Sequence, residues 1–217
     1  MVRDRTVNIV VFDLGGVLVD VTDSWAEAFR RVDIAVEPVL DDVMFLQERE
    51  RLWNEFQVGE TPAKYFFEEL SRASDGTYSP NQFVKGFRAR LLGEYSGASE
   101  VVELVEASGV KTGALSNTNP VHWHEIRESR DPGRYPTVKR LDNAHTSHRL
   151  GHAKPDPRIY RAFEEQVEEF GPSILFFDNR PENVETARAL GWNAERIDPD
   201  DSPSEQLEGY LDEYDVV

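Results

Sequence analysis

The chain has 217 residues, and its 41 acidic and 24 basic side chains give a formal charge of −17, which disfavours binding to nucleic acid backbones and anionic membranes. Hydrophobic residues make up 39% of the chain, enough for a packed core in one domain or in one domain with an insertion. Cysteine is absent, no apolar segment approaches the roughly 20 residues of a membrane helix, and no signal-peptide cleavage site follows the first apolar run, so we expect a soluble, cytoplasmic protein without thiol chemistry.

Three short apolar runs that end in polar residues predict buried strands. The run 7–13 ends at Asp13, the run 110–117 ends at Ser116 and Asn117, and the run 173–179 ends at Asp178 and Asn179. Apolar runs without alternation are typical of strands buried on both faces of a parallel sheet. A weaker strand candidate covers residues 192–198.

A long helical stretch follows the first strand. Segments 23–32, 40–59, 61–74 and 79–95 each begin with a helix-capping residue or an early proline. We therefore predict an all-helical insertion over residues 21–97, without strands. The simplest interpretation is a stabilising element, and the functional one is a lid that excludes water from the end of the first strand.

The remaining strands alternate with helical patterns in segments 98–109, 156–171 and 181–191. Alternation of strands and helices predicts an α/β core with a doubly wound, Rossmann-like parallel sheet. We assign this core to residues 1–20 and 98–217. Ligands of such sheets bind beyond the carboxyl ends of the strands, where the polar run ends are expected to meet.

Four motifs in chain order resemble those of the haloacid dehalogenase superfamily, and the resemblance covers essentially the whole chain. They are IVVFDLGGVL with Asp13, TGALSNTNP with Ser116, GHAKPDPRIY with Lys154, and ILFFDNRPEN with Asp178. The superfamily places a small helical cap between the first two motifs, where the helical insertion lies. Within the superfamily, the residues of these motifs look most similar to those of the bacterial α-D-glucose-1-phosphate phosphatase branch.

The resemblance implies that Asp13 is a nucleophile, assisted by Ser116 and Lys154. An aspartate can attack a phosphoryl group only when its charge is neutralised, and Mg²⁺ with hard oxygen ligands would do this. The candidate metal ligands are Asp13, the Gly15 carbonyl, Asp178 and Asn179. The candidate substrate-binding residues are Gly15, Gly16, Ser116, Asn117 and Lys154.

Two positions depart from the family pattern. Gly15 stands where most of these phosphatases have an acid–base aspartate, a group that contributes roughly 10²–10⁴-fold to such reactions. Asn179 stands where many relatives have the second of two adjacent acids. Either Asn179 ligates the metal through its side-chain oxygen or Asp178 takes over that contact.

The predicted function is a Mg²⁺-dependent phosphatase that acts on a small phosphorylated metabolite, such as a sugar phosphate, through an aspartyl-phosphate on Asp13. The alternatives are a metal-independent 2-haloacid dehalogenase and a binding protein on a weakened enzyme scaffold. We expect a small phosphate ester as the partner, no nucleic acid or membrane, and a monomer or homodimer. The histidine-containing stretch 145–152 is interpreted as a surface loop rather than a metal site.

Overall fold

A computed structural model describes residues 6–128, 131 and 133–217, so the first five residues of the predicted core lie outside the described part. The described strands are β1 (Ile9–Phe12), β2 (Val19–Val21), β3 (Leu91–Glu94), β4 (Lys111–Ser116), β5 (Asn143–Thr146), β6 (Ile174–Asp178) and β7 (Asn193–Arg196). Strands β5, β4, β1, β6 and β7 form a parallel sheet in that order, and β2 pairs with β3 in a separate antiparallel ribbon. The predicted α/β fold with a central parallel sheet is confirmed.

Helices cover both faces of the sheet and form the insertion. They are α1 (Trp25–Arg30), α2 (Val43–Gln57), α3 (Ala63–Ala73), α4 (Pro80–Ala89), α5 (Ala98–Ser108), α6 (Pro120–Glu128), α7 (Pro136–Arg140), α8 (Ser147–Leu150), α9 (Pro157–Val167), α10 (Pro181–Ala189) and α11 (Pro203–Glu213). Short 3₁₀ turns occupy Pro38–Asp41 and Gly171–Ser173. Among the described residues, no helix combines the length and apolarity needed to cross a membrane.

The central strand explains why the sheet is buried on both faces. Successive side chains of β1 point to opposite faces, so Val10 and Phe12 pack in one hydrophobic cluster and Ile9 and Val11 in another. All four are completely buried. Each face is then covered by helices, which is the arrangement expected of an all-parallel sheet.

Helices α1–α4 form the predicted helical insertion and have a hydrophobic core of their own. That core is rich in aromatic rings, including Phe29, Phe56, Phe66 and Phe87, which pack edge-to-face or stacked on their neighbours. Helix α4 begins with the predicted Ser79 cap, which forms a reciprocal capping box with Gln82. The insertion therefore has a hydrophobic cluster of its own, against which Val121 of α6 also packs.

The turn after α2 contacts the sheet domain around α8. The Ser147 hydroxyl donates to the Gln57 carbonyl oxygen at 2.6 Å. Gly59, in the turn between α2 and α3, has a φ of +81°, and a Cβ there would lie 2.4 Å from the His148 carbonyl oxygen. Glycine is thus required at the turn by both its backbone angle and its close approach to the other domain.

Two sequence predictions are wrong in detail. The segment 79–95 was expected to be helical throughout, but Leu91–Glu94 forms β3 and pairs with β2, which was also not predicted. The stretch expected to be a surface loop contains the end of β5, followed by α8. The His145 ring packs edge-on against the Phe163 ring, with 5.3 Å between the ring centres. The imidazole of His145 is therefore partly buried at the edge of the sheet.

Candidate active site

Three polar side chains from distant parts of the chain meet at one edge of the sheet. Asp13 follows β1, Ser116 ends β4 and Asp178 ends β6. The strand register places Phe12 beside both Ala114 and Phe177, so the carboxyl ends of the three strands lie together. All three polar residues are buried. Their convergence follows from the parallel topology.

Lys154 brings a buried positive charge between the two carboxylates. Its Nζ donates to the Leu115 carbonyl oxygen at 2.6 Å and to Asp178 Oδ2 at 2.7 Å, and it lies 3.2 Å from Asp13 Oδ1. The ammonium group has three hydrogens, and these three oxygens surround it. The Lys154 side chain is entirely buried, so these contacts hold its ammonium group in one position.

The backbone of Lys154 is held by Asn117. The Asn117 amide donates to the Lys154 carbonyl oxygen at 2.7 Å and accepts from the Lys154 backbone N–H at 2.8 Å. The Lys154–Pro155 peptide bond that follows is cis. Asn117, predicted to bind substrate, bonds the Lys154 backbone through both ends of its amide and also lines the cavity described below.

Asp178 has no oxygen lone pair left for a further ligand. Its Oδ1 accepts from the Arg180 backbone N–H at 2.8 Å, its Oδ2 accepts from Lys154, and the Asn183 amide donates to both oxygens at 3.0 and 2.9 Å. A carboxylate offers about four acceptor directions, and all four are used. Asp178 therefore orients Lys154 and Asn183, and the geometry favours Asn179 in the alternative left open by the sequence.

The carboxylate of Asp13 is less enclosed than that of Asp178, with 11% of its side chain exposed against none, and it carries unbalanced negative charge. Its Oδ1 accepts from the Leu14 backbone N–H at 2.7 Å. Burial raises the pKa of Asp13 to about 6; the Lys154 charge lowers it, and repulsion from Asp178 raises it again. One lysine thus faces two buried carboxylates, and a cation bound beside Asp13 would restore the balance.

The two glycines after Asp13 have different requirements. Gly16 has a φ of +80°, and a Cβ there would lie only 2.6 Å from the Asn179 side-chain nitrogen. A Cβ at Gly15 would meet Val21 Cγ2 at 3.4 Å, an ordinary contact, and its φ lies outside the left-handed region. Glycine is required at position 16 but only tolerated at position 15.

A cavity of about 460 Å³ opens above these groups and is walled by both the sheet domain and the helical insertion. Six of the eight predicted site residues line it, namely Asp13, Gly15, Ser116, Asn117, Lys154 and Asn179. Gly16 and Asp178 are not part of its wall. The insertion and its connections contribute lining residues that sequence reasoning did not single out as site residues, among them Glu50, Asn54, Gln57 and Arg90.

His122 lines the cavity as a neutral ring. Its Nε2 lies 2.8 Å from the Phe87 carbonyl oxygen, and the two rings stack at 4.0 Å. A carbonyl oxygen can only accept, so Nε2 carries the hydrogen and Nδ1 is the acceptor. Burial lowers the pKa of His122 to about 3, against the opposing effect of the Phe87 carbonyl.

The oxygen atoms near Asp13 suit Mg²⁺ better than a softer metal. Over the described residues, no group of three or more histidine, cysteine, aspartate or glutamate side chains could hold a metal ion. The available donors are carboxylate, amide and backbone oxygens, and Mg²⁺ accepts few protein ligands because it keeps several waters. The Asn183 side-chain oxygen is buried without a hydrogen-bond partner, which also fits a cation or one of its waters.

Comparisons with known proteins show the family of the chain. A family model described as haloacid dehalogenase-like hydrolase matches residues 7–191. A phosphatase of Mycobacterium tuberculosis is 28% identical over 205 residues, which cover 89% of this chain and 88% of the relative. A D-ribitol-5-phosphate phosphatase of Bacteroides thetaiotaomicron is 25% identical over 190 residues, 84% of this chain and 88% of the relative.

Solved structures with the same fold include more than one chemistry. A haloacid dehalogenase-family enzyme of Bacteroides thetaiotaomicron, in complex with magnesium and inorganic phosphate, has a TM-score of 0.70 and 20% identity, over 88% of this chain and 94% of that one. The L-2-haloacid dehalogenase of Xanthobacter autotrophicus has a TM-score of 0.62 and 21% identity, over 88% and 77%. At these identities the likeness concerns the fold.

Proposed function

The chain belongs to the haloacid dehalogenase-like hydrolases, and from this premise we propose that it is a Mg²⁺-dependent phosphatase of small phosphorylated metabolites. One observation carries the proposal: a carboxylate at the end of the central strand faces a cavity of about 460 Å³, with a buried lysine 3.2 Å away and a saturated second carboxylate behind it. Phosphatases among the relatives support the same reaction class.

In the first step, a carboxylate oxygen of Asp13 attacks phosphorus. An O–P bond forms to Asp13 while the ester P–O bond breaks, and the leaving alcohol oxygen takes its proton from solvent because Gly15 supplies none. Lys154 neutralises part of the charge that collects on the phosphoryl oxygens, and the Ser116 hydroxyl donates to one of them. In the second step, water attacks the phosphorus, which releases inorganic phosphate and restores Asp13.

The proposed Mg²⁺ site is the part of the cavity where the oxygen atoms of Asp13 and its neighbours lie. We propose that Asp13, the Gly15 carbonyl and the Asn179 side-chain oxygen hold it, with the free oxygen of Asn183 nearby. When bound, the ion neutralises the phosphate charge that would otherwise repel Asp13. Asp178, a candidate ligand from the sequence, is proposed to act through Lys154 and Asn183 instead, since its oxygens are already occupied.

The helical insertion is proposed to serve as the cap, with residues 21–97 as the cap and 1–20 and 98–217 as the core. Glu50, Asn54 and Gln57 of helix α2 line the cavity opposite Asp13, so the insertion would select the alcohol part of the ester. Closure over the site would exclude water that competes with Asp13.

The substrate class follows from the leaving group. Without an acid at position 15, the reaction favours alcohols that depend less on a proton as they leave, and the anomeric hydroxyl of a sugar is more acidic than its other hydroxyls. We therefore propose a sugar phosphate, with α-D-glucose-1-phosphate as the first substrate to test. The relative that acts on D-ribitol-5-phosphate supports a phosphorylated polyol or sugar in general. Monomeric or homodimeric assembly and a cytoplasmic location remain part of the proposal.

The test is phosphate release from a panel of sugar, polyol and simple alkyl phosphates, measured with and without Mg²⁺. Asp13→Asn is the blank, because it keeps the size of the side chain and removes the nucleophilic charge. Release that requires both Asp13 and Mg²⁺ supports the proposal. Metal-independent halide release from 2-haloacids would instead assign dehalogenase chemistry, and inactivity of a folded sample on both panels would indicate a binding protein.

A further inference from the structure

A second chamber adjoins the candidate site on the side of the helical insertion. It has a volume of about 490 Å³ and is here named the distal chamber. It shares part of its wall with the cavity above Asp13, namely Asp23, Glu50, Trp53, Arg90 and Arg180. The two cavities are therefore direct neighbours.

Three arginines from three parts of the chain line this chamber. Arg49 comes from helix α2, Arg90 from the connection between α4 and β3, and Arg180 from the loop between β6 and α10. The chain as a whole is strongly acidic, with a formal charge of −17. A group of guanidinium side chains at one cavity is thus a local reversal of the overall charge.

Arg90 is held rigidly in the wall. Its Nε donates to the Thr22 carbonyl oxygen at 2.9 Å and its Nη2 to Asp23 Oδ1 at 2.9 Å. Its guanidinium also lies 5.9 Å from the ring centres of both Trp25 and Phe87. These contacts leave Nη1 without a partner among the described residues, so one edge of a preorganised guanidinium remains available.

Arg49 is half-buried and unpaired. It forms no hydrogen bond or ion pair with any residue that the structure describes, and burial lowers its pKa. Its charge also lowers the pKa of Arg90, as expected of two like charges, whereas Glu50 and Asp23 raise the pKa of Arg49. Asp23 is already bonded to Arg90, and Glu50 is exposed, so their carboxylates offset this repulsion only in part.

An anion is the ligand that satisfies these groups. Guanidinium groups bind phosphate and carboxylate with paired, charge-assisted hydrogen bonds, whereas a neutral hydroxyl would leave the repulsion between Arg49 and Arg90 in place. Arg180 is exposed and lies 3.6 Å from Glu182, so it can turn towards a ligand at little cost. We propose that the substrate carries a second anionic group, a phosphate or a carboxylate, which binds in the distal chamber.

This inference rests on the proposed function, because it assumes that the first phosphoryl group binds at Asp13. The second anion would contact both the helical insertion through Arg49 and the sheet domain through Arg180. Binding of a doubly anionic substrate would therefore link the two parts of the protein around the ester.

The test measures binding apart from turnover. The Asp13→Asn protein is titrated calorimetrically, at fixed ionic strength and with Mg²⁺, with a hexose 1-phosphate, a hexose 1,6-bisphosphate and a hexuronic acid 1-phosphate. We expect one or both doubly anionic esters to bind at least tenfold more tightly than the monophosphate. This preference would oppose the overall negative charge of the protein, so long-range attraction cannot produce it. Tighter binding of the bisphosphate would identify the second anion as a phosphate, and tighter binding of the uronic acid ester would identify it as a carboxylate.

The variants are made in the same Asp13→Asn background. Arg49→Gln should reduce the preference to threefold or less. Arg72→Gln, which removes the same charge from an exposed position on α3 paired with Glu69, should leave the preference unchanged. Equal affinity for all three ligands, or a preference that survives Arg49→Gln, would overturn the inference. Failure of the wild type to release phosphate from any ester, with the binding preference intact, would instead overturn the proposed function.

Discussion

Replacing Gly15 by aspartate tests whether a missing proton donor limits the reaction at Asp13. The backbone at position 15 does not require glycine, and a Cβ there would contact Val21 Cγ2 at 3.4 Å without overlap. The new carboxyl would stand in the wall of the cavity, two residues after the nucleophile. The variant should therefore fold, and its effect should appear in the chemistry.

Two opposing contributions set the magnitude. A positioned general acid contributes about 10²–10⁴-fold, which corresponds to roughly 3–5 kcal/mol of activation free energy. A third carboxylate near Asp13 and Asp178 adds like-charge repulsion on the order of 1–3 kcal/mol. The difference between the middle values, about 2 kcal/mol, predicts a gain of roughly 30-fold for poor leaving groups. Good leaving groups need no proton, so their rates should stay the same or fall.

The assay is the dependence of kcat/KM on the leaving group. Phosphate release is measured for a series of aryl and alkyl phosphates whose alcohols differ in pKa, in the wild type, Gly15→Asp and Gly15→Asn. The asparagine variant has the same size but no acidic proton, so it reports steric effects alone. We expect kcat/KM to fall steeply with alcohol pKa in the wild type and in Gly15→Asn, and less steeply in Gly15→Asp.

Parallel slopes in all three proteins would refute the reasoning, because they would show that proton transfer from position 15 does not reach the leaving oxygen. Equal flattening in Gly15→Asp and Gly15→Asn would refute it as well, since a neutral amide cannot act as the acid. Gly16→Asp serves as a structural comparison: the φ of +80° and the 2.6 Å approach to Asn179 should destabilise it measurably in thermal unfolding.

Three further predictions concern the metal, the buried lysine and the neutral histidine. Asn179→Asp should tighten the apparent Mg²⁺ affinity in a titration of activity, because it adds a negative charge beside the proposed ion; an unchanged midpoint would argue against direct ligation there. Lys154→Met should abolish phosphate release and lower the free energy of unfolding by about 3–5 kcal/mol, measured by denaturant titration, because two buried carboxylates lose their counter-ion; unchanged stability would contradict the buried ion network. The folded-state pKa of His122, about 3, lies below its ordinary value of 6.5, so acid favours the unfolded chain and His122 should cost about 2 kcal/mol of stability between pH 6.5 and 5. His122→Gln should reduce this loss, whereas His124→Gln, at an exposed position, should not; equal pH profiles in both variants would contradict the buried neutral ring.

The sheet and its polar edge were predictable because their sequence signals are local. A buried strand of β1 type is a continuous apolar run, and parallel topology then places its carboxyl end beside those of β4 and β6. Strand β5 was missed because it lies at the sheet edge and carries polar residues such as Asn143 and His145. Strand β3 was missed because four residues directly after a helix give no period of their own.

The hydrogen-bond partners of the candidate site residues were less predictable, because they depend on which donor groups lie beside each oxygen atom in the folded protein. Sequence could not separate Asp178 from Asn179 as a metal ligand; the four hydrogen bonds that Asp178 already accepts are the basis for proposing Asn179. Nor could it separate Gly15 from Gly16, because the decisive contact is with Asn179, which is distant in the chain. Arg49 was inconspicuous in sequence because one basic residue in an amphipathic helix is usually solvated.

The antiparallel ribbon of β2 and β3 has an evolutionary consequence. Val21 pairs with Leu91, and the Thr22 N–H donates to the Arg90 carbonyl oxygen at 2.9 Å, so the chain leaves the sheet domain and returns to it at neighbouring points. An insertion whose two ends are already adjacent can change in length or sequence with little added loop-closure entropy, which grows only slowly with loop length. The range of substrates can thus change when the helical segment is replaced as a unit, while Asp13 and Lys154 keep their positions in the sheet domain.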